Sequence, residues 1–108
     1  MKNLPNVIAE LVKAQDNFDS KAYSDCFSET AVVYDEGKTY KGKTEIQNWI
    51  EKAHEEYQVV MKPLKYIEDG TSSILSAEVS GSFPGSPAVL QYHFILKNNL
   101  IDYLKVTG

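Results

Sequence analysis

Two aspartates and one tyrosine are the side chains of this sequence best placed for acid–base chemistry. Asp35 follows the β-prone run Ala31–Tyr34, and Asp102 alternates with three aliphatic residues near the end of the chain. A carboxylate that faces an apolar interior loses solvation, so its pKa rises and it becomes a competent base near neutral pH. Tyr92 shares a strand face with large apolar residues, where its phenol can polarise a carbonyl oxygen. Together these residues predict proton transfer on a carbonyl compound.

Each of these residues also has a purely structural interpretation. Asp35 can start an Asp-Glu-Gly turn with its side chain in water. Asp102 lies in solvent if the last strand takes the register that turns Tyr103 inward. Tyr92 can simply tie the core together through its hydroxyl. The sequence leaves these alternatives open.

Three helices are predicted in the first half of the chain. Apolar residues at helical spacing predict the first over residues 4 to 17, with Asn3 as its start signal. Asp19 and Ser20 offer an N-cap for a short second helix. The segment Thr44–Gln47 has the spacing of a capping box, in which both side chains satisfy backbone amides, and it predicts the start of a third helix. That helix is expected to bury one stripe of residues: Ile46, Trp49, Ile50 and Ala53.

β-prone runs, alternation of apolar and polar residues, and turn signals predict six strands. The pairs Glu36-Gly37 and Asn98-Asn99 are typical of tight turns between antiparallel strands. Because one sheet face needs helices over it and no crossover helix links parallel strands, the arrangement is an α+β fold. The predicted strands are Ala31–Tyr34, Lys38–Lys41, about 57–68, Ser73–Phe83, Ala88–Leu96 and Leu100–Val106.

The segment from Phe27 to Ile50, FSETAVVYDEGKTYKGKTEIQNWI, combines a helix end, two short strands and a capped helix. Its Phe-x-x-x-Ala-Val-x-x-Asp pattern, followed by a turn, Tyr-x-Gly and a helix opening with Thr-x-Ile, resembles the NTF2-like superfamily, especially its SnoaL-like and ketosteroid-isomerase-like branch. The resemblance covers nearly all of the chain and implies one domain, residues 1–108. It implies a cone-shaped α+β barrel, in which three helices from the N-terminal half cover the concave face of a curved, mostly antiparallel sheet around a pocket.

The same resemblance implies roles for particular residues. Asp35 matches the proton-abstracting carboxylate of the ketosteroid-isomerase branch, and related cyclases use a His or Asp on the last strands, where Asp102 lies. Leu11 falls where that branch has an oxyanion-binding tyrosine, so steroid isomerisation is not expected. The same branch has a second hydrogen-bond donor to the oxyanion, a protonated acid on the penultimate strand, and Tyr92 falls at or near its position. The ligand-binding pocket is expected to be lined by Leu11, Val33, Trp49, Phe83 and Phe94.

Charge and composition argue against several classes of function. The chain has 108 residues, a net charge of −4 and lysines scattered among acids, so neither nucleic acid nor an anionic membrane is an expected partner. The single cysteine, Cys26, leaves no internal disulfide or thiolate zinc site and fits a reducing cytoplasm. No apolar run suggests a signal peptide or a membrane span. With no acid–histidine spacing for a metal and no glycine-rich nucleotide motif, no metal and no cofactor are expected.

The outer face of the next-to-last strand carries Val89, Gln91, His93 and Ile95, which is too apolar for a surface in water. NTF2-like proteins commonly join through this convex side of the sheet, so a homodimer is predicted. A strand bulge would exchange the roles of Tyr92 and His93. Three functions remain: a cofactor-independent isomerase, cyclase or dehydratase acting on a small hydrophobic molecule, a non-catalytic binding protein, or a dimeric assembly module.

Overall fold

Helices and strands follow one another in the order that the sequence predicts. The computed structural model describes residues 4–108, so the start signal predicted at Asn3 lies outside the described residues. The elements are α1 (Asn6–Asp16), α2 (Ser20–Asp25), β1 (Phe27–Asp35), β2 (Lys38–Lys41), α3 (Gly42–Tyr57), β3 (Val60–Asp69), β4 (Ser72–Ser80), β5 (Ala88–Lys97) and β6 (Leu100–Thr107).

The six strands form one curved sheet in the order β2-β1-β6-β5-β4-β3. Every neighbouring pair is antiparallel except β1 and β6, which are parallel, with Tyr34 opposite Lys105. The sequence does not predict this parallel pair, because no single crossover helix connects the two strands; every element from β2 to β5 lies between them in the chain. The pairing places Asp35, at the end of β1, close to the end of β6.

Local chemistry decides where two of the helices begin. Asp19 caps α2 as predicted, because its carboxylate accepts a hydrogen bond from the N–H of Ala22 at 3.0 Å. The start predicted for α3 at Thr44 is wrong: the helix begins at Gly42, whose φ of +81° lets the chain turn directly out of β2. The Glu45 carboxylate then accepts a backbone hydrogen bond at 2.8 Å from the last residue of β2. Within residues 4–108, no helix combines the length and apolar character needed to span a membrane.

A single core lies between the helices and the inner face of the sheet. β4 alternates as predicted, with Leu75, Ala77 and Val79 each no more than 3% exposed. Burying a large apolar side chain contributes about 1.5–3 kcal/mol to folding, so the core is the main source of stability. The other buried members include Ile8 and Leu11 of α1, Phe27 and Val33 of β1, Ile46 and Ile50 of α3, Met61 of β3 and Phe94 of β5.

The strand pairing is irregular at three places, which lie within β1, within β3 and between β5 and β6 at Ile95. The third irregularity changes the face pattern of β6. Ile101 and Leu104 are both 0% exposed, although a regular strand would place residues three apart on opposite faces. Neither register predicted for β6 therefore holds along the whole strand.

Candidate active site

Asp35 lies on the inner face of the sheet. It continues the alternation of Ala31 and Val33, which are both 0% exposed, and its own side chain is partly exposed. Tyr34 has the opposite orientation: it is 40% exposed on the outer face, where its ring lies 5.5 Å from that of Tyr103. Asp35 also stands directly before the turn at Glu36, so the two sequence interpretations of this residue are compatible.

The surroundings of Asp35 favour its protonated form. Burial raises the pKa of the Asp35 carboxyl, and the negative charge of the adjacent Glu36 raises it further. The nearby Trp49 side chain, a hydrogen-bond donor, acts in the opposite direction, but the net shift of the pKa is upward. An ionised carboxyl group with a raised pKa is a stronger base than an ordinary carboxylate, so it accepts a proton more readily near neutral pH.

Tyrosine hydroxyls from two other elements face the same interior. Tyr92 of β5 is 6% exposed and Tyr23 of α2 is 1% exposed. Burial raises the pKa of both phenols, and the charge of Asp35 adds to the rise in each case. Both phenols therefore keep their protons and can donate hydrogen bonds. The residue types alone do not single out Tyr23; the one available signal is a phenol on a buried helix stripe, which needs a polar partner.

Two partly exposed aromatic side chains, Tyr40 and Trp49, lie near Asp35. Tyr40 stacks on Trp49 with ring centroids 5.4 Å apart, and Tyr23 meets Trp49 edge-on at 6.1 Å. Burial also raises the pKa of Tyr40, again with a contribution from Asp35. Tyr40 and Trp49 are both partly exposed, so the cluster around Asp35 reaches the protein surface here. We call Asp35, Tyr40 and Trp49, with Tyr23 and Tyr92 behind them, the Asp35 mouth.

The residues predicted to line the pocket are distributed differently. Leu11 and Val33 are 0% exposed and Phe94 is 1% exposed, so all three are packed in the core. Phe83 lies near the far end of α3, where its ring centroid is 6.2 Å from that of Tyr57. Of the five predicted lining residues, Trp49 is the one that belongs to the Asp35 mouth.

Asp102 lies at the surface rather than in the core. Its carboxylate is not core-facing beside Tyr92; it accepts hydrogen bonds from Ser28 at 2.5 Å and Thr30 at 2.8 Å. These hydrogen bonds hold the pKa of Asp102 below its ordinary value. The physical reason is the irregular pairing of β6, which puts Ile101 and Leu104 into the core and leaves Asp102 between them at the surface.

His93 lies on the outer face of β5, as strand parity predicts. Its Nε2 is 3.0 Å from the Thr107 hydroxyl, whereas the neighbouring Tyr92 is buried inside. No bulge exchanges the two residues, because β4 and β5 pair in an unbroken register from Ser72 to Val79. Asp35 and the phenol of Tyr92 therefore face the interior of the cone, whereas His93 faces away from it.

Comparison with known structures decides the family. A proposed polyketide cyclase from Sinorhizobium meliloti is 36% identical in sequence, with 96% of this chain and 95% of that chain covered at a TM-score of 0.92. This chain belongs to the NTF2-like superfamily. Its SnoaL-like and ketosteroid-isomerase-like character agrees with the sequence resemblance.

More distant structures share the NTF2-like fold. An NTF2-like protein of unknown function from Cytophaga hutchinsonii is 17% identical over 99% of this chain and 93% of that chain, with a TM-score of 0.80. A protein with a ketosteroid-isomerase-like fold from Catenulispora acidiphila, in complex with trimethylamine, is 16% identical over 98% and 87% of the two chains, with a TM-score of 0.88. At these identities the likeness concerns the fold alone. No family model matches this sequence, and a comparison with curated proteins also found no match.

Proposed function

We propose that this NTF2-like protein binds a small, mostly apolar carbonyl compound at the Asp35 mouth and catalyses a proton transfer without a cofactor. The reaction would be of the isomerase, cyclase or dehydratase type. The observation that carries the proposal is the inward Asp35 carboxyl with its raised pKa, facing phenols that retain their protons. A related protein that is a proposed polyketide cyclase supports a substrate with carbonyl groups.

The proposed step uses Asp35 as the base and Tyr92 as the donor. The Asp35 carboxylate removes a proton from the carbon next to the carbonyl group, and the electron pair of the broken C–H bond moves onto the carbonyl oxygen. The Tyr92 hydroxyl stabilises the resulting negative charge through a hydrogen bond. The proton then returns from Asp35 to the same or another carbon, which restores the enzyme. A positioned general base contributes typically about 10²–10⁴-fold in rate.

The test is exchange of α-protons in D₂O. We expect 2-tetralone, a small apolar ketone, to lose its α-proton NMR signals faster with the protein than in buffer alone. Asp35→Asn should reduce the added rate by about 10²-fold or more, and Tyr92→Phe by a smaller factor. Glu78→Gln, at an exposed position of β4, is the matched control and should leave the rate unchanged.

Two other results distinguish the alternatives. If the ketone shifts backbone amide signals around Trp49 but no exchange is accelerated, the protein is a binding protein without this catalysis. That outcome has structural support, because the complete burial of Leu11 and Val33 leaves little open space deeper in the core. If exchange is accelerated equally in Asp35→Asn, the proposed base is wrong.

The outer sheet face supports a second proposal, that the protein forms a homodimer. Val89 is 50% exposed and Ile95 is 39% exposed there, whereas Gln91 and His93 make hydrogen bonds within the sheet, to Ser76 at 2.7 Å and to Thr107. A groove of about 540 Å³ runs across the same face. Exposed apolar side chains on one sheet face are typical of subunit contacts.

Sedimentation tests this interface. We expect a dimer at about 50 μM protein, because interfaces of standard size give affinities in the micromolar range or better. Ile95→Lys should shift the protein to the monomer without altering its circular dichroism, whereas Lys13→Glu, at an exposed position of α1 on the helical side of the sheet, serves as the control. A wild-type monomer at this concentration would contradict the interface.

We also propose that the protein works in the cytoplasm. Burial raises the pKa of the Cys26 thiol to about 11, which keeps it protonated and unreactive. A lone buried thiol fits a reducing compartment. Cell fractionation of the tagged full chain would test this, and recovery outside the cytosolic fraction would reject it.

A further inference from the structure

A polar groove lies at the opposite end of the sheet from the Asp35 mouth. It has a volume of about 240 Å³ and is formed where the turn between β3 and β4 meets the turn between β5 and β6. Its lining includes Glu68, Thr71, Ser73, Leu96, Asn98 and Asn99. We call it the hairpin groove. About 20 Å of strand separates it from the mouth, given a rise of about 3.3 Å per residue along β6.

The hairpin groove contains a buried hydroxyl that makes no well-formed hydrogen bond. Ser73 is 5% exposed, and its Oγ makes no well-formed hydrogen bond with any group in residues 4–108. Removing a hydroxyl from water without a compensating hydrogen bond is unfavourable, so buried hydroxyls are nearly always hydrogen-bonded. The Ser73 hydroxyl therefore has free capacity to donate and accept at the floor of the groove.

A carboxylate lies beside this hydroxyl. Glu68 pairs directly with Ser73 across β3 and β4, and the Tyr66 hydroxyl donates a hydrogen bond to Glu68 Oε2 at 3.1 Å. Burial raises the pKa of Tyr66, the nearby Ser73 hydroxyl lowers it, and Glu68 raises it, with a net upward shift. The phenol thus stays protonated and holds one carboxylate oxygen in place, which leaves Oε1 for another donor.

The rest of the lining adds acceptors and one apolar contact. Asn98 and Asn99 have φ values of +53° and +65°, which form the tight turn at the rim of the groove. The Leu96 N–H is already bonded to the Thr71 carbonyl at 3.0 Å, so the backbone here is fixed and the side chains are what a ligand meets. Glu68 carries the only charge in the lining. The neighbouring Lys97 acts on Asp102 instead, where it helps to lower the pKa.

We propose that the hairpin groove binds a small primary ammonium ion. Three N–H donors on one nitrogen match the Glu68 carboxylate, the Ser73 hydroxyl and an amide oxygen of the Asn98-Asn99 turn. The Leu96 side chain accommodates a short alkyl chain. The groove volume of about 240 Å³ is about eight times the ~30 Å³ that one water molecule occupies in the liquid, so an amine with a few carbons fits. This site is separate from the Asp35 mouth and does not depend on the function proposed there.

Titration followed by ¹H–¹⁵N NMR tests the site. The probe is n-propylammonium chloride at pH 7, with tetramethylammonium chloride at equal ionic strength as the matched cation that has no N–H groups. We expect saturable shifts of the backbone amides of Thr71, Ser73 and Leu96 with n-propylammonium, in the millimolar range. Tetramethylammonium should produce no saturable shift at these amides.

Three variants complete the experiment. Glu68→Gln and Ser73→Ala should each weaken n-propylammonium binding at least tenfold, while the rest of the spectrum stays in place. Glu78→Gln, an exposed residue at the other end of β4, should bind as the wild type does. The proposal is overturned if the shifts are linear in concentration, if both cations produce them equally, or if Glu68→Gln leaves the affinity unchanged.

Discussion

Asp35 and Tyr92 lie on strands that are not neighbours in the sheet, and the charge of Asp35 helps to raise the pKa of the Tyr92 phenol across the interior. The relationship favours one particular pair of protonation states. When Asp35 is ionised, Tyr92 holds its proton more firmly, so the base and the donor are ready at the same time.

The two aspartates singled out by the sequence should titrate in opposite directions. We expect the carboxyl of Asp35 to titrate above 3.8, because burial dominates, and that of Asp102 below 3.8, because Ser28 and Thr30 stabilise its charge. ¹³C NMR of the carboxyl groups measures both values in one sample. Trp49→Phe should raise the Asp35 value further, since it removes a hydrogen-bond donor. An Asp35 value at or below 3.8 would remove the physical basis for its role as a base.

Asp35→Asn should stabilise the protein at pH 7. Because the folded pKa of Asp35 is raised, the unfolded chain loses this proton at a lower pH than the folded protein does. The free energy of unfolding therefore falls as the pH rises from the pKa of Asp35 in the unfolded chain, about 3.9, through its pKa in the folded protein. The asparagine variant has no such group and does not lose this stability. Urea unfolding at pH 3 and pH 7 measures it: the variant should match the wild type at pH 3 and exceed it at pH 7. Equal stability at both values would contradict the expectation.

His54 should make the protein sensitive to mild acid. It is 6% exposed, its two ring nitrogens make no well-formed hydrogen bond within residues 4–108, and its ring lies 5.4 Å from that of Phe18. Burial lowers the pKa of His54, and the nearby backbone of Phe18 and the charges of Asp19 and Glu51 oppose this only in part. The unfolded chain then takes up the proton first, so stability is lost as the pH falls below about 6.5.

Thermal unfolding between pH 5 and pH 7.5 checks the role of His54. We expect His54→Leu to flatten the loss of melting temperature over this range, because the variant has no proton to take up at that position. His93→Leu, which removes the outer-face histidine, is the control and should keep the wild-type loss. A His54→Leu curve parallel to the wild type would assign the acid sensitivity to other groups.

Gly81→Ala should destabilise the protein by about 1–3 kcal/mol, the usual cost of overpacking. An added Cβ at this position would lie 2.5 Å from the carbonyl oxygen of Tyr57 and 3.3 Å from the Cα of Val59, and backbone atoms cannot move aside easily. Gly108→Ala, where nothing lies within 4 Å, is the matched exchange and should have little effect. Urea unfolding midpoints compare the two variants, and equal midpoints would show that the segment after β4 yields to the extra methyl group.

The periodic features of the sequence predict the structure well where one face of an element decides its burial. The alternation around Leu75 predicts β4, and the opposite orientations of Tyr92 and His93 follow from strand parity alone. The Asp19 cap is predicted because a capping carboxylate acts within its own first turn. These are local rules, and the tertiary structure agrees with them.

Features that depend on contacts between distant elements are not predictable in the same way. The face on which Asp102 lies depends on how β5 and β6 slip past each other at Ile95, and strand periodicity contains no information about that slip. Tyr23 joins the Asp35 mouth only because α2 packs against α3 and β1. The start of α3 was misplaced at Thr44 because a good capping pattern competes with a glycine that turns the chain earlier.

The parallel pairing of β1 with β6 has a consequence for synthesis on the ribosome. β1 lies between β2 and β6 in the sheet, and β6 is the last strand of the chain, so β1 pairs with it only after every other element has been synthesised. Until then the edge of β1 that will pair with β6 has no hydrogen-bonded neighbour, and contacts this far apart in sequence form slowly. The sheet is therefore completed late and in a nearly all-or-none step. A nascent chain stalled before β6 would expose the unpaired edge of β1 to aggregation with other chains.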